Sequence, residues 1–250
     1  MSSCATVDRN SLAVEVGGHS LTQDTLEHLA AANGTAATGG QLREQLTKWI
    51  RTTVLEASAG PQTAVLPPST SAELDSRYAV ALTKLAGEDA KELYETGVDG
   101  SPVICIAAVT TATLEDANNV LTLLNSGMAF EDAARQNSTD TVIAEAGGIV
   151  RGGVNGDQEC LDPATVNPSV VAALKGTPIG QPIAANLDTF SAVLMLRPFE
   201  DLLPESQSLV ASTVVKQDQL DALVDNADVY VDPRYGRWDP ATGSVVELTP

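Results

Sequence analysis

Few side chains of this 250-residue sequence have the types and spacing that support covalent or metal chemistry. It contains three cysteines, Cys4, Cys105 and Cys160, and two histidines, His19 and His28. The histidines lie nine residues apart and the cysteines are not closely paired, so the ligand spacing of a zinc site is absent. No Gly-x-Ser-x-Gly turn is present, and no further histidine could serve a serine or cysteine nucleophile. We therefore expect no metal, no cofactor and no nucleophilic catalysis.

The first cysteine follows small residues in the stretch Met1-Ser2-Ser3-Cys4-Ala5. A bacterial lipobox ends in this way, at the cysteine that receives the lipid. We expect Cys4 to be lipidated in a chain from which a leader peptide has been removed. The alternative is an ordinary exposed cysteine near the chain terminus. No run of eighteen apolar residues occurs, so the only membrane contact predicted is this anchor.

The charge balance narrows the classes of partner. The sequence has 33 acidic and 14 basic side chains, which gives a formal net charge of −19. Such a charge opposes binding to phosphate backbones and to anionic lipid surfaces, so we expect no nucleic-acid partner. A hydrophobic content of 43% is typical of a folded globular protein.

Apolar spacing predicts a mainly helical first part of the chain. Residues 12–18 favour a short strand, and Thr22 is the expected N-cap of a helix that ends at Asn33-Gly34. Residues 41–58 keep the three-and-four spacing of a helix with one buried face, which includes Trp49. Thr70-Ser-Ala-Glu73 has the pattern of a capping box and begins the next helix, whose buried face would include Tyr78.

From Pro102 onward the pattern alternates between strands and helices. A near-continuous apolar strand comes first, and the segment closes with two strands around an Asn186/Asp188 turn. After Pro198 helical spacing returns, and it is followed by the most aromatic stretch of the chain. The predicted segments are a strand at 103–109, a helix capped by Thr113, a helix at 130–136, a loop at 147–163, a helix opened by Asn167-Pro168, and strands at 179–184 and 190–196.

Two sets of residues resemble known families. Residues 130–140 form a short amphipathic helix that runs into a polar Asn-Ser-Thr-Asp turn, with Gly147-Gly148 shortly after it. This resembles the centre of a parvulin domain, the peptidyl-prolyl isomerase module of extracytoplasmic foldases. Residues 13–22 resemble the opening of SurA-like chaperones, and the tail at 231–238 resembles the segment that follows their parvulin insert. The order of segments matches over nearly the whole chain.

The resemblance implies an α+β fold. A discontinuous, mainly helical SurA-type chaperone domain would contain an inserted parvulin-like domain, which is a small antiparallel sheet packed with helices. The implied boundaries are 12–98 for the first part of the chaperone domain, 102–198 for the insert, and 199–250 for the helix and tail that complete the chaperone domain. It also implies an extracytoplasmic location, with the lipid anchor on the outer face of the bacterial cytoplasmic membrane.

The resemblance also indicates where isomerase chemistry would lie. Active parvulins set two histidines on adjacent central strands, an Asp or Cys after the second helix, and apolar residues around the proline ring. In this chain Cys105 and Ser191 occupy the histidine positions, and Asp140 occupies the Asp/Cys position. Leu161 and Val166 are the apolar residues in the proline-pocket segment. Because the family histidines are absent from these positions and His19 and His28 lie in the other predicted domain, we expect a module that has lost catalysis of a reaction whose uncatalysed barrier is roughly 18–20 kcal/mol. An active isomerase that uses Asp140 is the alternative.

Export would place the remaining cysteine pair in an oxidising compartment. Cys105 and Cys160 would then form a disulfide across the former cleft. It would close a loop of about 55 residues and contribute on the order of 4 kcal/mol in the chain-entropy model. The alternative is that Cys105 is a buried free thiol on an apolar strand.

The function implied by the resemblance is the binding of unfolded exported polypeptides through weak apolar contacts. Tyr235 and Trp238 lie among proline and glycine residues and are the candidate client-binding aromatics, together with Leu161 and Val166. The alternatives are a working prolyl isomerase and a cell-envelope scaffold with one folded partner. The sequence does not predict an oligomeric state.

Overall fold

Helices and short antiparallel strands make up this computed structural model, so the fold class is α+β, as the sequence predicts. The structure describes residues 11–31, 36–60, 67–153, 156 and 158–248. Within them the elements are, in chain order, β1 (Leu12–Val16), β2 (His19–Thr22), α1 (Gln23–Ala30), α2 (Gly39–Ser58), α3 (Ser71–Ala86), α4 (Glu88–Glu95), β3 (Ile106–Thr111), α5 (Leu114–Asn125), α6 (Phe130–Asn137), α7 (Thr141–Glu145), α8 (Pro168–Leu174), β4 (Ile183–Asn186), β5 (Ser191–Leu196), α9 (Pro204–Val214), α10 (Gln217–Asp225), β6 (Val229–Val231), β7 (Arg237–Asp239) and β8 (Ser244–Val246).

The chain divides into two compact units, and the boundaries differ from the predicted ones. The first unit joins the chain up to Ala86 with the chain from Val215, and the second is Gly87–Val214. Helices α4 and α9, which we assigned to the chaperone domain, therefore belong to the second unit. The reason is that they contact each other, and the Tyr94 ring lies 5.5 Å from the Phe199 ring.

The first unit is discontinuous because the tail adds a strand to the N-terminal sheet. Its strand order is β2-β1-β6, with Val14 opposite Val231 in an antiparallel register. The α2 face that the sequence predicted to be buried packs on this sheet and supplies Leu46, Trp49 and Ile50 to one apolar cluster.

Side-chain caps set the starts of the helices in this unit. Thr22 caps α1, as predicted, and Thr38 and Gln41 form a capping box that starts α2 two residues earlier than the sequence indicated. At α3 the Glu73 backbone N–H donates to Thr70 Oγ1, but the Glu73 carboxylate accepts from the Ser69 backbone N–H at 2.7 Å. The predicted helix end at Asn33-Gly34 lies outside the described residues.

The second unit contains a three-stranded antiparallel sheet with the order β3-β5-β4. The β3–β5 register runs from Ile106 opposite Leu196 to Thr111 opposite Ser191. Strand β4 begins at Ile183, four residues later than the predicted 179–184, because the preceding Pro182 has no N–H to donate to a ladder.

Both faces of this sheet are covered, which explains the continuous apolar run of β3. Val109 and Val193 face α5 and α6 on one side, while Ile106 and Leu196 share a cluster with Leu174 of α8. Every residue of β3 is buried. Two of the predicted caps in this unit are confirmed, since the Thr113 side chain accepts from the Asp116 backbone N–H and Pro168 is the first residue of α8.

Candidate functional site

The two positions at which the family resemblance puts histidines do not form one site. Cys105 precedes β3 and accepts a 2.9 Å hydrogen bond from the Arg197 backbone N–H, at one end of the β3–β5 ladder. Ser191 pairs with Thr111 at the other end. Six residues of extended strand separate the ends, which is about 20 Å. Both side chains are buried, and the Ser191 hydroxyl donates to Asn186 Oδ1 at 3.1 Å.

Asp140, the candidate catalytic carboxylate, caps a helix. Its Oδ1 accepts hydrogen bonds from the backbone N–H groups of Val142 and Ile143 at 2.9 and 3.1 Å, which start α7. Its own N–H donates to Thr110 Oγ1 at 2.9 Å, so the polar turn is attached to β3. This carboxylate is exposed to solvent and already accepts two bonds, as an N-cap does.

A disulfide covers the outer edge of β3. Cys105 and Cys160 are bonded, with their Cα atoms 4.2 Å apart. Beside them, Ile104 and Leu161 exchange two backbone hydrogen bonds of 2.8 Å. Farther along, the Ala108 N–H donates to the Gly148 carbonyl at 2.8 Å. The loop that would cross an isomerase cleft is therefore hydrogen-bonded to β3 and to the residues just before it.

The same loop is held from behind by a buried ion pair. The Glu159 carboxylate, 4% exposed, accepts from the Arg197 guanidinium, whose side chain is 13% exposed. Glu159 Oε2 also accepts from Ser206 Oγ at 3.2 Å. Next to them the Tyr94 hydroxyl donates to the Arg197 carbonyl at 2.8 Å, and burial raises the pKa of Tyr94 to about 12. These groups therefore hydrogen-bond to other groups of the second unit.

The two predicted proline-pocket residues pack into the second unit. A Cβ added at Gly152 would lie 2.2 Å from Leu161 Cδ2, so the leucine side chain rests directly on that glycine. Val166 packs against the apolar cluster that contains Leu174 and Leu196. Both side chains pack internally on one side and stay partly exposed, so their role in client binding stays a prediction.

An open cleft of about 620 Å³ lies in the first unit, within the usual range of ligand pockets. Its walls come from α2, α3 and strand β8 of the tail. Three cations of α2 line it in an otherwise strongly acidic protein. The lining residues are Gly40, Arg43, Glu44, Thr47, Lys48, Arg51, Asp75, Tyr78, Ser244 and Val245.

The tail forms one wall of this cleft because α2 binds its backbone. The Val245 N–H donates to Thr47 Oγ1 at 2.9 Å, and Arg51 Nε donates to the Gly243 carbonyl at 2.8 Å. Tyr78 lies on the opposite wall and is half-buried, not in the core as the sequence indicated. Burial raises the pKa of its hydroxyl, and the positive charge of Arg51 opposes that rise in part.

The two aromatic residues predicted to bind clients lie elsewhere. Tyr235 is only 9% exposed and belongs to the apolar cluster of the first unit, which contradicts its prediction as a groove residue. Trp238 is half-buried against the same cluster and does not line the 620 Å³ cleft. The cleft residues that sequence reasoning missed had one visible signal. Arg43, Thr47 and Arg51 recur every four residues along a single helix face.

Other kinds of site are not found in the part of the chain that the structure describes. Those residues contain no cluster of three or more His, Cys, Asp or Glu side chains that could hold a metal ion. They also contain no helix that is long and apolar enough to cross a membrane. Cys4, the predicted lipidation residue, lies outside the described residues.

Comparisons with known proteins give structural similarities only. No family model matches the sequence, and no curated protein matches it. PrsA from Bacillus subtilis is similar at 16% identity over 82% of this chain and 94% of its own, with a TM-score of 0.34. The peptidylprolyl isomerase PrsA from Bacillus anthracis is similar at 14% identity over 80% of this chain and 90% of its own, with a TM-score of 0.33. The parvulin domain of PpiD from E. coli is similar at 23% identity over 38% of this chain and 85% of its own, with a TM-score of 0.31. TM-scores this low assign no role to any residue of this chain.

Proposed function

We propose that this protein is a chaperone that binds unfolded exported polypeptides through the cleft of its first unit. In this proposal the parvulin-like second unit no longer isomerises prolyl bonds. The sequence resemblance to SurA-like chaperones supports the class of function. The open cleft supports its location, because the described chain offers there a concave surface of ligand-pocket size that combines apolar area with several charged side chains.

The observation that carries the inactive assignment is the state of Cys105. This residue occupies the first histidine position, has no exposed surface, and is bonded to Cys160 of the covering loop. A prolyl isomerase needs a cleft that removes water from the amide and twists it out of plane. Here the corresponding strand edge is covered, and the other two candidate groups, Asp140 and Ser191, are engaged in local hydrogen bonds.

A protease-coupled assay on a set of Xaa-Pro peptides tests this assignment, with and without reductant. We expect the uncatalysed rate in both conditions. Turnover that Asp140→Ala abolishes would contradict the proposal and support the isomerase alternative. Turnover seen only with reductant would also contradict it, because the disulfide would then be a redox gate on a working site.

Suppression of aggregation of a reduced model client tests the chaperone assignment. We expect light scattering to fall when the protein is added at several-fold excess. The excess is needed because binding through weak apolar contacts occupies most client molecules only at a high protein concentration. Absence of any effect at that ratio would count against a chaperone. A pull-down from envelope extracts separates the scaffold alternative, because a single stoichiometric partner is incompatible with a general client binder.

The location that we propose is extracytoplasmic, on the outer face of the bacterial cytoplasmic membrane, with a lipid on Cys4. The small residues before Cys4 support this, as does the resemblance to exported chaperones. Metabolic labelling with an alkyne-bearing fatty acid tests it. Label should appear on the protein expressed from its natural gene and be absent from Cys4→Ser; equal labelling of both would exclude the anchor.

A further inference from the structure

The three cations of the cleft differ in how their charges are balanced. Arg43 Nη2 lies 3.5 Å from Glu247 Oε2. Lys48 Nζ lies 2.5 Å from Asp75 Oδ1. Among the described residues, Arg51 forms no ion pair, and its only hydrogen bonds go to two backbone carbonyls. A guanidinium is always charged at physiological pH, so Arg51 brings an uncompensated positive charge to the cleft wall.

The geometry of Arg51 leaves one edge of its guanidinium unused. Nε donates to the Gly243 carbonyl at 2.8 Å, and Nη2 lies 3.5 Å from the Thr242 carbonyl. Nε and Nη2 share one edge of the planar group, so the edge formed by Nη1 and Nη2 still has free donors. Gly243 permits this approach. Its φ is +55°, and an added Cβ would lie 2.8 Å from Arg51 Nη2.

Tyr78 supplies a second donor on the same cleft. Its hydroxyl has no hydrogen-bond partner within the described ranges, and the side chain lines the cleft together with Arg51. A tyrosine hydroxyl is protonated at neutral pH and can donate, and burial raises the pKa of Tyr78 further from neutrality. A planar cation and a neutral hydroxyl that line one cleft are a donor pair suited to a carboxylate.

We propose that the cleft binds extended apolar polypeptide segments by the side-chain carboxylate of an Asp or Glu, which Arg51 and Tyr78 hold. This inference rests on the proposed chaperone function and names the class of segment that is bound. Charge complementarity favours it locally, because three cations line the cleft against the two carboxylates of Glu44 and Asp75, although the protein as a whole has a net charge of −19. At physiological salt the screening length is about 8 Å, so this local charge outweighs the distant acidic groups.

Two capped peptides test the proposal by calorimetry at physiological salt, where the distant acidic groups are screened. They are rich in Ala and Val, and they differ only in one central Glu or Gln, so the side chain carries the only charge. The wild-type protein should bind the Glu peptide about five- to tenfold more tightly, and Arg51→Gln should bring this ratio close to one. Lys84→Gln is the matched control, because it removes the same charge from an exposed residue of the same unit outside the cleft.

A gain-of-affinity variant keeps the test decisive if Arg51→Gln fails to fold. Glu44 is an exposed carboxylate on the cleft wall, and Glu44→Gln should raise affinity for the Glu peptide about twofold by removing repulsion. Hydrogen exchange should also show that the Glu peptide protects residues 242–245. Absence of both effects would overturn the proposal even without data on Arg51→Gln.

The remaining outcomes separate this inference from the proposed function. Equal binding of both peptides, or a Glu preference that Arg51→Gln retains, would overturn carboxylate recognition and leave a cleft that binds apolar segments. Absence of peptide binding with aggregation suppression intact would overturn the cleft as the client site. Absence of both would refute the chaperone proposal itself.

Discussion

Two arginines summarise the difference between the units. Arg197 of the second unit is 13% exposed and binds the buried Glu159 carboxylate. Among the described residues, Arg51 of the first unit binds only backbone carbonyls of the tail, and it lines an open cleft. An enclosed ion pair has no capacity left for a ligand, whereas an unpaired cation on a cleft wall has. This comparison is the reason that we propose client binding in the first unit, although the family resemblance puts the chemistry in the second.

The largest expected effect concerns the disulfide that closes the second unit. Cys105→Ala/Cys160→Ala should lower the free energy of unfolding of this unit by about 4 kcal/mol, because a loop of about 55 residues is no longer constrained in the unfolded chain. Hydrogen exchange in β3 and β5 measures this, since Trp49 and Trp238 both lie in the first unit. Reductant should affect the wild type similarly and leave the variant unchanged. A loss below about 1 kcal/mol would contradict closure by the disulfide.

The next effect tests whether the Arg197–Glu159 pair is truly enclosed. Arg197→Met leaves an uncompensated carboxylate and should cost about 3 kcal/mol in urea unfolding. Arg135→Met is the matched control, because the Arg135–Glu131 pair is more than half exposed on each side and should contribute less than about 0.5 kcal/mol. Equal losses of unfolding free energy in the two variants would mean that the Arg197–Glu159 pair is no more enclosed than a surface ion pair.

Alkaline pH should destabilise the second unit through Tyr94, its single tyrosine. The folded-state pKa is about 12 and the unfolded value is 10.0, so the unfolded chain loses the proton first. The stabilising contribution is therefore complete below pH 10 and is lost as pH rises towards 12. Unfolding free energy should fall by about 1 kcal/mol between pH 10 and 11. Tyr94→Phe should flatten that slope, and an unchanged slope would exclude Tyr94 as its source.

The smallest effect separates backbone strain from cleft function in the first unit. Gly17 and Gly243 have φ values of +54° and +55°, but a Cβ at Gly17 meets open space. Alanine at either position should lower the free energy of unfolding by about 1 kcal/mol. Tryptophan fluorescence during unfolding measures this loss. Only Gly243→Ala should also reduce the preference for the Glu peptide, since it displaces Arg51. Equal discrimination by the two variants would argue against positioning of Arg51 by the tail.

Local signals in the sequence were reliable where the interactions that decide the structure lie within one short segment. The caps at Thr22 and Thr113 and the proline at the start of α8 are interactions within a few residues, and all are confirmed. The unit boundaries were misplaced, because membership of α4 and α9 depends on their contact with each other across about a hundred residues of chain. Tyr235 was misassigned for a similar reason, since its neighbours in sequence are polar while its contacts are apolar.

The sequence by itself determined the α+β class, most helix starts and the continuous burial of β3, because periodicity and capping are encoded over a few residues. It also showed that Cys105 and Ser191 stand at the positions where the family resemblance puts histidines. Only the tertiary structure decided that Asp140 is used as a cap and that Arg51 and Tyr78 share a cleft. Such roles depend on which distant groups neutralise or bury a side chain, and the return of the tail onto α2 creates those neighbours.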